Sequence, residues 1–163
     1  MAFYTKKRLR TIIFACSDAI IREVGYIAYY AQETPDKSEK ELFMEECCFL
    51  FLVLLFNCHN LRIMPRRRAD KIFWNAWERT LLHLGYYFYG DFGLSDNLYH
   101  ELYTLFHMVH RNSFLKNTTA EEEDACRFIL DEHKKYDSKE MEQLLLSAIR
   151  RLKKDFIIIF SNF

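Results

Sequence analysis

Glycine and proline are scarce in this chain, with 4 Gly and 2 Pro in 163 residues. An all-β fold needs many tight turns, which these two residue types usually supply, so the composition disfavours such a fold and favours long helices. Motifs of catalysis are scarce as well. The sequence holds no nucleophile motif, no glycine-rich phosphate loop and no convincing acid–base pair of side chains. We therefore expect a helical protein that is not an enzyme.

Net charge is also lacking, because 23 Lys and Arg balance 23 Asp and Glu. A neutral chain gives no global reason to bind nucleic acid or an acidic membrane surface, and it favours self-association. The five cysteines are odd in number, and two of them are adjacent in the most apolar stretch. We interpret them as buried, reduced thiols in a cytoplasmic protein.

The longest apolar run, Cys47 to Phe56, stands out against the 50% hydrophobic composition. Ten helical residues span about 15 Å, half of a bilayer core, and polar residues flank the run on both sides. We therefore predict no membrane span. Ser38-Glu39-Lys40-Glu41 forms a capping box, the signature of a helix start. The prediction is a helix from about Ser38 to Asn60 that other helices surround.

Apolar residues at three- and four-residue spacing predict helices elsewhere along the chain. They cover about residues 5–32, 66–89 and 95–112, a fifth helix opens at Thr119, and a sixth starts near Asp137. The length of the chain suits one domain, residues 1–163. The predicted fold is an all-α, single-domain bundle of about six helices around a buried central hydrophobic helix.

The predicted helix 95–112 carries a polar ridge that is a candidate partner-binding surface: His100, Tyr103, His107 and His110. These side chains share one helix face, opposite the apolar stripe, so they face solvent or a partner. Only His107 and His110 are close enough to share an ion, and no further ligand is indicated. We therefore predict no metal site and no cofactor.

Three tyrosines at the end of the predicted helix 66–89 form a second candidate partner-binding surface. Tyr86, Tyr87 and Tyr89 lie on different helix faces, so they cannot all point into a core. Aromatic residues in excess at an exposed helix end are typical of protein contacts.

A basic cluster opens the same helix, where the helix dipole makes cations mildly unfavourable. It consists of Arg66, Arg67, Arg68 and Lys71, and Trp74 follows it closely. Two interpretations remain open: internal salt bridges, or a site for an anion or single-stranded nucleic acid. In the second case, residues 6–10 and 150–154 could enlarge the basic surface.

One short resemblance concerns Arg127 and His133, which five residues separate. This spacing resembles the motif of the helical HEPN-type ribonucleases. The resemblance implies that the pair acts on RNA phosphate and ribose hydroxyl groups across a dimer interface. Phe128 stands where that family usually has a polar residue after the arginine, and the likeness covers only seven residues.

These observations favour a small cytosolic, non-enzymatic interaction or regulatory protein, such as an inhibitor or accessory factor. It would act through contacts with a protein partner of unknown identity and would form homo-oligomers. Nucleic-acid binding through the Arg66–Lys71 and Trp74 cluster is the alternative, and a HEPN-like ribonuclease is the second alternative.

Overall fold

The computed structural model describes residues 5–31, 37–89 and 119–162. These ranges form an all-α bundle, as the scarcity of glycine and proline predicts. The helices are α1 (Lys6–Tyr30), α2 (Lys37–Phe56), α3 (His59–Ile63), α4 (Arg66–Tyr89), α5 (Thr119–Glu132) and α6 (Lys139–Asn162), with a 3-10 turn at Lys134–Tyr136. The helix predicted over residues 95–112 lies outside the described residues.

Helix α2 is the centre of the bundle, and it contacts α1, α3, α4, α5 and α6. Every residue from Cys47 to Leu55 is at most 5% exposed, and Phe56 is half-buried against the core. A helix that is apolar on all sides is stable in water only when other elements cover all of its faces. The predicted central position of the Cys47–Phe56 run is therefore confirmed.

The prediction of one continuous helix from Ser38 to Asn60 is wrong at its end. Asn57 directs both its backbone N–H and its side-chain Nδ2 to the carbonyl of Val53, each at 3.0 Å. Side chains that compete for backbone carbonyls in this way favour helix ends. Cys58 then adopts extended backbone angles (φ −65°, ψ 148°), and a new short helix, α3, begins at His59.

The starts of α1, α4 and α6 follow their local sequence signals, whereas α2 begins at Lys37, which puts Ser38 of the predicted capping box inside the helix. At α1, the hydroxyl of Thr5 accepts a hydrogen bond of 3.1 Å from the backbone N–H of Arg8. At α6, Ser138 accepts a bond of 3.0 Å from the N–H of Met141. Before α4, Met64 is extended (φ −78°, ψ 152°), the conformation that Pro65 imposes on the residue before it. Each cap satisfies amides that the first turn of a helix leaves unbonded.

Two long helices, α4 and α6, pack against α1 on different sides. On the α6 side, the fully buried carboxylate of Glu23 accepts hydrogen bonds from Arg151 (Nη2–Oε1 2.7 Å) and Arg22 (Nη2–Oε2 3.0 Å). Arg22 also pairs with Asp155 of α6. On the α4 side, Arg79 pairs with Asp18 (Nη1–Oδ1 2.6 Å). Ion pairs therefore fix α1 between its two neighbours.

Candidate functional site

The predicted partner surfaces lie largely outside the described part of the chain. His100, Tyr103, His107 and His110 are outside the described residues. The backbone of Tyr86, Tyr87 and Tyr89 lies in the last turns of α4, and their side chains are outside the described residues. Both surfaces remain predictions.

The basic cluster lies in the first turns of α4, as predicted, but its members have different surroundings. Arg66 pairs with Asp70 one turn along (Nε–Oδ1 3.2 Å) and lies over the ring of Phe56 at 5.6 Å. Arg67 and Lys71 are exposed, and Arg68 is half-buried. Internal pairing therefore accounts for Arg66, whereas Arg67 and Lys71 present their charge to solvent.

Trp74, which follows the cluster, is half-buried and packs against the core. Its ring meets those of Phe73 and Trp77 near edge-on, with centroids 5.1 and 5.7 Å apart. Such edge-to-face contacts stabilise an aromatic cluster. Part of the indole is therefore covered by the core, and only the remainder is available to stack on a nucleotide base.

A cleft of about 750 Å³ runs between α1 and α4, and we call it the α1/α4 cleft. Its walls combine apolar and basic side chains with one carboxylate. The lining residues are Lys6, Leu9, Arg10, Ile13 and Phe14 from α1, and Lys71, Asn75, Glu78, Arg79, Leu82 and His83 from α4. The structure thus brings Lys6 and Arg10 to the same cleft as Lys71, which joins two of the basic segments that the sequence separates.

Arg79 is a cation of the α1/α4 cleft that makes several contacts with α1. Its guanidinium lies 4.6 Å from the centroid of the Phe14 ring and donates to Ser17 Oγ at 2.6 Å. The pair with Asp18 balances its charge. Arg79 therefore forms part of the cleft wall and packs on Phe14, and it adds little to the net charge of the cleft.

The net charge of the α1/α4 cleft comes from three other side chains. Lys6, Arg10 and Lys71 are exposed, and among the lining residues that the structure describes Glu78 is the one acid that opposes them. This local positive surplus contrasts with the neutral chain as a whole. Charges of one sign that line a cleft with apolar walls attract ligands of the opposite sign.

Apolar side chains in the α1/α4 cleft remain accessible to solvent. Phe14 is 46% exposed and Leu82 is 52% exposed, while Ile13 is half-buried and packs against the core. Exposed apolar groups that cluster beside polar ones mark interaction sites. Sequence reasoning missed Phe14 and Leu82. Both lie off the apolar stripes of their helices, and this position could have indicated that they are exposed.

Three residues of the third basic segment, on α6, form ion pairs away from the cleft. Arg150 and Lys153 both pair with Glu122 of α5, and Arg151 pairs with Glu23. None of these three residues lines the α1/α4 cleft. The segment therefore ties α6 to its neighbours and does not enlarge the basic surface of the cleft.

Arg127 and His133 are each engaged by carboxylates. Arg127 binds Asp137 (Nη2–Oδ1 2.8 Å) and Glu142 (Nη2–Oε2 3.0 Å). His133 is 8% exposed, and its Nε2 lies 2.7 Å from Oε2 of Glu46 on the central helix. These contacts connect the end of α5 to α6 and to α2, which gives both residues a role in packing.

Burial raises the pKa of the Glu46 carboxyl above its ordinary value of 4.5, and the neighbouring His133 opposes that rise. Aromatic rings pack beside this pair. Phe43 lies 5.5 Å from the His133 ring and stacks on Tyr136 at 4.3 Å. An ionisable pair thus lies partly buried at the edge of the core, at the junction of α2 and α5.

All five cysteines are free thiols, as predicted. Cys16, Cys47, Cys48 and Cys126 are buried, and burial raises the pKa of each. Cys58 is half-buried with a pKa raised to about 11. The thiolate is the reactive form of cysteine, and a raised pKa lowers its population at neutral pH. These side chains therefore serve packing. In the described ranges, no three or more His, Cys, Asp or Glu side chains are placed to hold a metal ion.

Comparisons with protein-family models, with curated proteins and with solved structures found no significant match. Among the described helices, none has both the length and the hydropathy that crossing a bilayer requires.

Proposed function

We propose that this protein acts without catalysis, by binding another protein in the α1/α4 cleft. The observation that carries the proposal is the combination of accessible apolar groups, Phe14 and Leu82, with exposed cations at the same cleft. Such a surface supports binding by apolar burial and orientation by charge. Both walls belong to long helices that the core and the Asp18–Arg79 ion pair hold in place, so the cleft is formed before a partner arrives.

Site-specific photo-cross-linking tests this proposal in the native host cell. A photoreactive benzoylphenylalanine replaces Leu82 in the cleft or, as a matched control, Leu42 on α2, since the two are 52% and 45% exposed. We expect position 82 to capture a defined protein, identified by mass spectrometry, and position 42 not to capture it.

A second substitution links capture to the α1/α4 cleft. Arg10→Glu with Lys71→Glu should abolish the cross-link from position 82, because it reverses two of the exposed cations of the cleft. Equal capture from positions 42 and 82, or capture that survives the charge reversal, would contradict the proposal.

Nucleic-acid binding is the second candidate, and the meeting of Lys6, Arg10 and Lys71 at one cleft favours it. Binding to phosphates would release counterions and fall steeply with salt. A gel shift with a single-stranded oligonucleotide that is lost at high salt, and lost on Lys6→Ala/Arg10→Ala/Lys71→Ala, would support this function. No shift at low salt would end it.

Self-association and a cytoplasmic location belong to the same proposal. Exposed aromatic side chains on α1, Tyr26, Tyr29 and Tyr30, support self-association because they offer apolar area outside the cleft. The free state of the five cysteines supports a reducing compartment. Light scattering that shows a strict monomer at all concentrations would count against self-association.

A further inference from the structure

We infer that the partner segment in the α1/α4 cleft is an acidic, amphipathic α-helix. This inference rests on the proposed function and specifies the chemistry of the partner. The cleft combines accessible apolar side chains with three exposed cations, Lys6, Arg10 and Lys71, which we call its basic rim. An amphipathic helix with acidic flanks presents the complementary groups.

The positive charge of the basic rim sets the sign of the charge that the partner must carry. The described lining residues include three exposed cations, Lys6, Arg10 and Lys71, against one acid, Glu78. The charge of Arg79 is already balanced by Asp18. A basic segment would place like charges side by side, whereas Asp or Glu side chains would pair with the exposed cations. Rim charges of this kind select partners more than they add affinity.

The length of the cleft suits a short helix. The lining residues of α1 run from Lys6 to Phe14 and those of α4 from Lys71 to His83. At about 1.5 Å per residue, these walls are about 12 and 18 Å long, the length of two to three helical turns. A helix of this length presents apolar residues at i, i+3, i+4 and i+7, which would cover Ile13, Phe14 and Leu82.

The aromatic groups near the cleft favour a peptide over single-stranded nucleic acid. Binding of single strands relies on aromatic rings with open faces for base stacking. The Arg79 guanidinium covers one face of the Phe14 ring, and Trp74 is half-buried against Phe73 and Trp77. Aliphatic side chains, by contrast, need only contact area, which Leu82 and Ile13 provide.

Three designed helical peptides test the inference. They share Leu at i, i+3, i+4 and i+7 and carry Glu, Gln or Lys at the flanking positions. Fluorescence anisotropy with labelled peptides gives their dissociation constants for the full chain. We expect the Glu peptide to bind at least tenfold more tightly than the Lys peptide at low salt, and the ratio to shrink as salt screens the charges.

Charge reversal in the protein provides the sharper comparison. In Arg10→Glu/Lys71→Glu the preference should invert, so that the Lys peptide binds more tightly. The control Lys139→Glu/Lys154→Glu makes the same change in net charge at two exposed positions of α6 and should keep the preference for the Glu peptide. Arg10→Gln/Lys71→Gln should bring the ratio of the dissociation constants of the Glu and Lys peptides near one. This neutral variant replaces the charge-reversed one if the latter does not fold.

The outcomes separate the inference from the proposed function. Equal binding of the three peptides, lost on Leu82→Asp, would overturn the acidic partner and leave protein binding in the cleft intact. No binding of the Glu peptide at millimolar concentration would overturn the inference. So would tighter binding of an oligothymidine, or self-association of the protein that Arg10→Glu/Lys71→Glu abolishes, because each puts a different occupant in the cleft.

Discussion

Replacing Glu23 by Gln should weaken the bundle through the loss of one buried charge. Glu23 lies on α1 with a fully buried side chain, and its two oxygens accept hydrogen bonds from Arg22 and from Arg151 of α6. Gln has nearly the same shape, so it leaves no cavity. Its amide group, however, turns an N–H donor toward one of the two guanidinium groups, and no negative charge remains between them.

The exposure of the two arginines limits the size of the effect. Breaking a buried ion pair costs about 3–5 kcal/mol when the surviving charge remains buried. Here Arg22 and Arg151 are 43% and 47% exposed, so water can solvate them once the carboxylate is gone. Hydrogen bonds to a charged group are worth about 1.5–3 kcal/mol. We therefore expect Glu23→Gln to lower the free energy of unfolding by about 2–3 kcal/mol.

Equilibrium unfolding in urea measures this loss. With a slope near 2 kcal/mol per molar urea, the midpoint should fall by about 1–1.5 M. Asp155→Asn is the matched control because Asp155 also pairs with Arg22 but is 30% exposed, and it should cost under about 1 kcal/mol. A loss below about 0.5 kcal/mol for Glu23→Gln, or an equal loss for Asp155→Asn, would refute the reasoning.

Three further predictions concern the core. Leu52→Ala on α2 should cost about 2.7–5 kcal/mol in urea unfolding because it empties a fully buried site, whereas Leu42→Ala, at a 45% exposed site, should cost far less; similar losses would contradict the central position of α2. The raised pKa of Glu46 means that the folded state binds this proton more tightly, so its contribution to stability is complete below pH 4.5 and declines as the pH rises through the raised pKa. The stability of the wild type minus that of Glu46→Gln should therefore fall as the pH rises, and a difference that rises with pH would be inconsistent with burial as the dominant cause. A thiol reagent at mildly alkaline pH should modify at most Cys58 quickly in the folded protein and all five cysteines in urea, so rapid native modification of several thiols would contradict their burial.

Helix positions and the central place of α2 could be predicted because they depend on local patterns. In α4, for example, residues at three- and four-residue spacing are all buried: Phe73, Ala76, Trp77, Thr80 and Leu81. Apolar residues spaced three and four positions apart indicate which face of a helix is buried, whichever helix packs against it. A continuous apolar run likewise indicates burial on all sides before any neighbour is known.

The break after Phe56 and the α1/α4 cleft could not be predicted in the same way. The helix that capping and composition favoured ends here because Cys58 turns to extended backbone angles and its N–H bonds the carbonyl of Leu55, three residues back. The cleft depends on which helices become neighbours, and Arg79 meets Phe14 across 65 residues of sequence. Spacing within one helix contains no information about such a pair.

The location of the bound helix tests the central claim most directly. Methyl NMR spectra of the full chain, titrated with the Glu peptide, report on apolar side chains in the cleft and away from it. We predict that the methyl signals of Ile13 and Leu82 shift with peptide, whereas those of Ile157 and Ile158, 60% and 55% exposed on α6, stay unchanged. Shifts confined to the α6 isoleucines, with Ile13 and Leu82 unaffected, would contradict the assignment of the α1/α4 cleft as the binding site.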